Sequence, residues 1–163
     1  MTPAPTNVIG IDPGVKKCGI AYSCNGRLKY ARLVTTESML SEIINGKFMA
    51  VCEMPQTYGG RAKRGDTNDL LALARVVGQI EIYFRSVLGA WFVTVKPSEW
   101  KGQVPKQIMC RRIWKTLSAA EREVVGISPA ARLALAEGRD IAKSATDVLD
   151  AVGIVLFTLG RLK

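Results

Sequence analysis

Between Asn7 and Thr35 the chain strings together three β-forming runs that leave it little freedom in how to begin folding. The first, Val8-Ile9-Gly10-Ile11, is continuously apolar and is halted by Asp12-Pro13-Gly14, which predicts a buried strand ending in a turn. A second strand is predicted over 18–23. Asn25-Gly26 is the dipeptide favoured in tight turns between antiparallel strands, so 27–35 can return beside it as a third. The chain therefore opens as an antiparallel meander.

Periodicity changes after Thr35. Met39, Leu40, Ile43 and Ile44 fall on helical spacing and Gly46 supplies a stop, which predicts a helix over 36–44. A short apolar strand, 48–52, leads to Glu53, and the polar, basic, Gly-containing stretch 54–66 reads as a surface loop. Leu70, Leu73, Val77, Ile80, Phe84 and Val87 then recur at helical intervals, which predicts a long helix over 67–88 capped by Asp66 or Thr67. Gly78 within it predicts a close packing contact, because glycine otherwise weakens a helix interior. A fifth strand, 91–95, lies between Gly89 and Pro97. Strand, long helix and strand in succession imply a right-handed crossover onto a partly parallel sheet. Helices are predicted over 105–117, 118–125 and 128–137, and a last one is expected to be capped by Ser144 and to run to about Leu159. At 163 residues, with no repeat or linker, the expectation is a single α/β domain spanning 1–163.

Apolar residues make up 48% of the sequence and charged residues 23%, a composition that excludes disorder. The formal charge of +9 favours a polyanionic partner, nucleic acid foremost, although a basic surface kept for solubility explains the charge equally well by itself. Cys18, Cys24, Cys52 and Cys110 form no CxxC pair and sit in apolar runs, so they read as small buried hydrophobes in a reducing compartment. No stretch is long and apolar enough for a membrane span and the start lacks signal-peptide character, so the expected location is cytoplasmic. Histidine is absent. Catalysis without imidazole must come from carboxylates, lysines, hydroxyls, thiols or metals.

Carboxylates stand at three separated places: Asp12 after the first strand, Glu53 after the fourth, and Asp147 with Asp150 in the last helix. Asp147 and Asp150, three residues apart, share a helix face. Each acid has a plainer reading, as turn former, edge residue or helix cap; Asp147 in particular is placed to cap beside Ser144. Asp150 resists it. It sits among Val148, Leu149, Ala151, Val152, Ile154 and Val155, where a charge needs a partner, a proton or a metal to offset desolvation. Clustered hard oxygen donors suit Mg²⁺, or Mn²⁺ as a substitute, and a pair of such ions about 3.5–4 Å apart stabilises the attacking and leaving oxygens of phosphodiester hydrolysis.

VIGIDPGVKKCGIAYS resembles the opening of RuvC-type Holliday-junction resolvases, AVCEMPQ their second acidic motif, ALARVVGQI their long helix and SATDVLDAVGI their terminal helix, so the likeness spans nearly the whole chain. It implies an RNase H-like fold: a five-stranded mixed sheet, an antiparallel β1–β3 meander followed by parallel β4 and β5, flanked by helices. It implies that Asp12, Glu53, Asp147 and Asp150 are catalytic acids holding two metal ions per site, in a homodimer that places paired nicks in four-way or otherwise branched DNA. It also implies lysines at the scissile phosphate, with Lys101 and Lys106 as the matching catalytic positions, although their spacing is shorter than in the bacterial enzymes. The segment 119–142 is longer than the family pattern.

Basic and aromatic residues supply a candidate DNA-contacting set. Arg61, Lys63 and Arg64 follow Glu53 in the loop with Tyr58, which could stack on a base; the plainer reading is a solvated loop. Lys96 follows the fifth strand, Arg111, Arg112 and Lys115 lie on the next helix, where a solvated face is an equal reading, and Lys16 and Lys17 lie in the turn after Asp12, with Lys143 one turn before Asp147. Trp100 reads as a packing residue. Two other functions share parts of the pattern: an RNase H-like nuclease acting on structured RNA, similar to the YqgF group, and an actin-like phosphate-binding protein, for which the chain lacks a second lobe.

Overall fold

The computed structural model describes residues 7–39, 47–56 and 64–162, without the side chains of 64–66. The expected meander is formed by β1 (Val8–Asp12), β2 (Lys17–Cys24) and β3 (Arg27–Thr35). Asn25 and Gly26, both at positive φ, make the hairpin turn between β2 and β3. After α1 (Thr36–Met39), β4 (Met49–Glu53) pairs parallel with β1, and β5 (Trp91–Val95) pairs parallel with β4. The sheet order is β3-β2-β1-β4-β5. This is the RNase H-like arrangement of strands, and it matches the fold that the sequence implied.

Alternation along β1 divides the core. Ile9 and Ile11 enter one apolar cluster with Val76, Val77, Ile80 and Phe84 of the helical segment that begins with α2 (Arg64–Ile82). Val8 enters the other, with Trp100, Ile113 and the apolar face of α7 (Lys143–Thr158). Period-two side-chain alternation thus gives a sheet covered by helices on both faces. Two glycines seat α7 on it. A Cβ at Gly10 would strike the Ala151 carbonyl oxygen and lie 2.8 Å from Val155 Cγ2, and one at Gly19 would strike the Asp147 carbonyl oxygen.

Several boundaries differ from expectation. The long helix starts at Arg64, inside the stretch expected to be loop, and its last turn, Tyr83–Val87, widens to π geometry that closes on Leu88 and Gly89. Gly78 has nothing within 4 Å of a would-be Cβ, so the close contact expected there is absent among the described residues. A short helix, α3 (Pro97–Trp100), follows β5 and was not anticipated. It is followed by α4 (Lys106–Thr116), α5 (Ala119–Glu123) and α6 (Pro129–Ala136). Ser118 and Ser128 cap α5 and α6 as expected, each accepting a backbone N–H three residues on. Ser144 does not cap α7. The helix begins one residue earlier, at Lys143, because the extended residue Ala142 already offers its carbonyl to Ala145 and Thr146. Residues 40–44 of the first predicted helix lie outside the described residues. No helix among the described residues is long and apolar enough to cross a membrane, and all four cysteines are free thiols.

Candidate active site

Parallel pairing of β1 with β4 puts the C-terminal ends of both strands on one edge, and with them Asp12 and Glu53. The helix seated by Gly10 and Gly19 brings the other two acids over the same edge. One oxygen from each of Asp12, Asp147 and Asp150 lies within 4.8 Å of the others. Glu53 stands outside that triad but lines the same cavity of about 190 Å³. The cavity is walled by the four acids together with Lys17, Lys101, Lys106 and Lys143, so the formal charges of its described lining balance.

Asp150 is the acid whose burial is hardest to explain by packing. Its residue is 2% exposed, its Oδ2 pairs with Lys106 at 3.0 Å and lies 3.9 Å from Lys101, and its Oδ1 is buried with no hydrogen-bond partner among the described residues. An unpartnered buried carboxylate oxygen is expensive, and a hydrogen-bond donor, a proton or a cation would satisfy it. Asp12 is held well above the usual carboxylate range, first by burial and then by the negative charges of Asp150, Glu53 and Asp147. Burial opposes the charge on Lys106 and Lys101, but Asp150 above all, with Asp147 beside Lys106 and Glu53 beside Lys101, raises both ammonium groups above their ordinary value. Asp147 does not serve as a helix cap; its Oδ1 accepts from Lys106 at 3.3 Å and its Oδ2 from Lys143 at 2.9 Å.

The turn carrying Asp12 into β2 is fixed from outside the cavity. Thr36 Oγ1 donates to the Gly14 carbonyl at 2.8 Å and Thr36 N to that of Lys16 at 3.2 Å, while the Cys18 thiol lies 3.5 Å from Gly14. Glu53 is held by a residue read from sequence as mere packing: Trp100 Nε1 donates to its Oε2 at 2.7 Å, and Lys101 Nζ donates to the same oxygen at 3.0 Å. A tryptophan adjacent to a candidate lysine was the available signal, but which way its N–H points depends on α3, which sequence patterning did not disclose.

The chain is similar to RuvC of Thermus thermophilus. Against the structure titled T. thermophilus RuvC in complex with Holliday junction substrate, the match covers 97% of this chain and 98% of that one at 14% identity, with a TM-score of 0.49. Against a second Thermus thermophilus RuvC structure, the figures are 96%, 98%, 14% and 0.45. No family profile matches the sequence, and no curated protein matches it.

The basic residues divide. Lys17, Lys101, Lys106 and Lys143 line the cavity, but Lys16, exposed in the same turn, does not. Lys96 is exposed at the start of α3, where its backbone N–H is held by Glu99. Arg111 is tied to the Gly138 carbonyl at 2.7 Å and to Asp140, Arg112 and Lys115 are exposed on α4, and no part of 119–142 lines the cavity. Tyr58, Arg61 and Lys63 lie outside the described residues, as does the Arg64 side chain. Sequence reasoning also missed the ion pair of Glu121 and Arg161, in which two guanidinium nitrogens meet both carboxylate oxygens at 2.6 and 2.8 Å while the Leu28 N–H donates to Oε1. It ties α5, the β2–β3 hairpin and the chain end together.

Proposed function

We propose that this protein is a divalent-cation-dependent endonuclease that hydrolyses phosphodiester bonds in branched DNA, four-way junctions above all. The observation that carries the proposal is the converging oxygens of Asp12, Asp147 and Asp150, with the buried Oδ1 of Asp150 left without a partner among the described residues. The donor set is all oxygen and the chain has no histidine, which suits Mg²⁺ or Mn²⁺. Asp12, Asp147 and Asp150, with Glu53 at the margin, are the residues that would hold two such ions. Bound there, the ions supply Lewis-acid stabilisation of the attacking and leaving oxygens in an in-line displacement.

The chain's own residues do the rest. Lys106 and Lys143, with side chains 45% and 86% exposed at the mouth of the cavity, are placed to turn from the acids toward a phosphate, whereas Lys101, 16% exposed, stays inside against Glu53. The +9 charge of the sequence draws in the polyanion, and exposed Lys16, Lys96 and Arg112, with Arg61, Lys63 and Arg64 and a stacking Tyr58, would contact its backbone. The choice of branched DNA rests on the resemblance of the four motifs. Paired nicking requires a homodimer, a reading that rests on the same resemblance. Free thiols suit a reducing compartment such as the cytoplasm.

The test is incubation of labelled four-way junctions, forks, linear duplex and structured RNA with and without Mg²⁺. Cleavage of the junction only with Mg²⁺, abolished in Asp12→Asn and Asp150→Asn while junction binding persists, is the expected result. Full activity of either variant would remove the metal-dependent mechanism, and preferential cutting of RNA would move the protein to the RNA-directed reading.

A further inference from the structure

We propose that Trp100 is a positioning residue for Glu53, acting through its indole N–H and not only through its bulk; the proposal rests on the nuclease reading above. The local sequence explains the placement. Glu53 pairs with Val95 in the β4–β5 register, and Pro97 starts a single helical turn immediately after β5, so the chain doubles back and lays Trp100 across the Glu53 carboxylate. Trp100 is 5% exposed, and the floor under it is cut away at Gly153, where a Cβ would lie 2.7 Å from Ile113 Cδ1 and 3.0 Å from Trp100 Cη2.

Among the described residues two donors meet Glu53, and both use Oε2, so neither occupies Oε1. They differ in what they do when a cation enters. Lys101 is charged, shared with Asp150 at 3.9 Å and stacked over the Trp100 ring at 4.7 Å, so a divalent ion repels it. The indole N–H is neutral and wedged. It keeps the carboxylate's orientation in both circumstances, as groups behind metal ligands do, and removal of such a group typically weakens metal affinity by about 10–100-fold. A bond that merely satisfied a buried N–H would leave cation affinity untouched.

The experiment is calorimetric titration of the full-length protein with Mn²⁺ alone, for wild type, W100F, Glu53→Ala and the double variant, with junction cleavage measured in parallel. W100F is expected to bind Mn²⁺ about tenfold more weakly and to lose kcat with KM for the junction unchanged, and in the Glu53→Ala background the same change is expected to cost nothing further. Equal Mn²⁺ affinity in W100F and wild type, or an undiminished loss in the Glu53→Ala background, overturns the positioning role alone. A wild-type protein that binds no Mn²⁺ overturns the nuclease reading and this role with it. Should W100F not fold, 3-benzothienylalanine at position 100, which keeps the shape and lacks the N–H, is titrated with the same outcomes.

Discussion

Gly19→Ala tests how the acids are brought together. The new Cβ would sit on the Asp147 carbonyl oxygen, 2.9 Å from the Asp147 carbonyl carbon and 3.4 Å from Ala151 Cβ. Two of these three contacts are backbone atoms, which cannot rotate away, so α7 must rise off β2 or the strand must sink. Overpacking of this kind costs about 1–3 kcal/mol, and for a protein of this size each kcal/mol lowers Tm by about 2–4 °C. Asp147 and Asp150 ride on the helix that moves, and a misplacement of about 1 Å can cost on the order of 100-fold in rate. Melting followed by circular dichroism, paired with single-turnover cleavage and junction binding, is the assay. A Tm lowered by about 2–12 °C, a rate down about 100-fold and binding little changed are expected, on the same scales. A variant with wild-type melting and wild-type cleavage would mean that α7 does not rest on β2 at Gly19 and that the convergence of the acids has another cause.

The remaining predictions use other parts of the molecule. Gly78→Ala, with open space around the would-be Cβ, is expected to raise stability by about 0.5–1 kcal/mol in chemical denaturation, through helix propensity and lost unfolded-state entropy; destabilisation would place an unseen contact there. Arg161→Ala leaves the buried Glu121 carboxylate without its guanidinium and is expected to cost about 3 kcal/mol in the same assay. The Arg161 hydrogen bonds hold Glu121 down at about 2, against an ordinary value of 4.5, so its contribution is complete above pH 4.5 and is lost as pH falls through about 2. In Glu121→Gln the fall of Tm with acid across that window should be shallower than in wild type, and an unchanged acid limb would refute the pair's role. Lys106→Ala removes the cation 3.0 Å from Asp150; without divalent ions its Tm should fall, and added Mg²⁺ should raise it by more than it raises wild type.

Much of the molecule was legible along the chain. Val8–Asp12, the Asn25-Gly26 hairpin and the long periodic helix carry local signals, namely apolar periodicity, turn chemistry and breaker residues, and the elements formed where those signals stood. Local signals failed where a neighbour decides. Ser144 has the right side chain for a cap but lies inside a helix already started by Ala142, and Gly78 has the right residue for a close contact but faces open space. The glycines that seat α7, Gly10 and Gly19, sit in strands and look unremarkable until the helix lies across them.

The sequence by itself determined the class of chemistry: no histidine, acids after two strands and within an apolar helix, and an excess of lysine and arginine. Residue type settles which ligands and charges are on offer, and period-two and helical spacing settle which face each one takes. Tertiary structure alone decided that Asp12, Asp147 and Asp150 converge, that Glu53 stands aside under Trp100, and that Lys17, Lys101, Lys106 and Lys143 line the same cavity. Those facts depend on a parallel strand pairing and a helix seated by missing side chains, contacts between residues distant along the chain that no local pattern encodes.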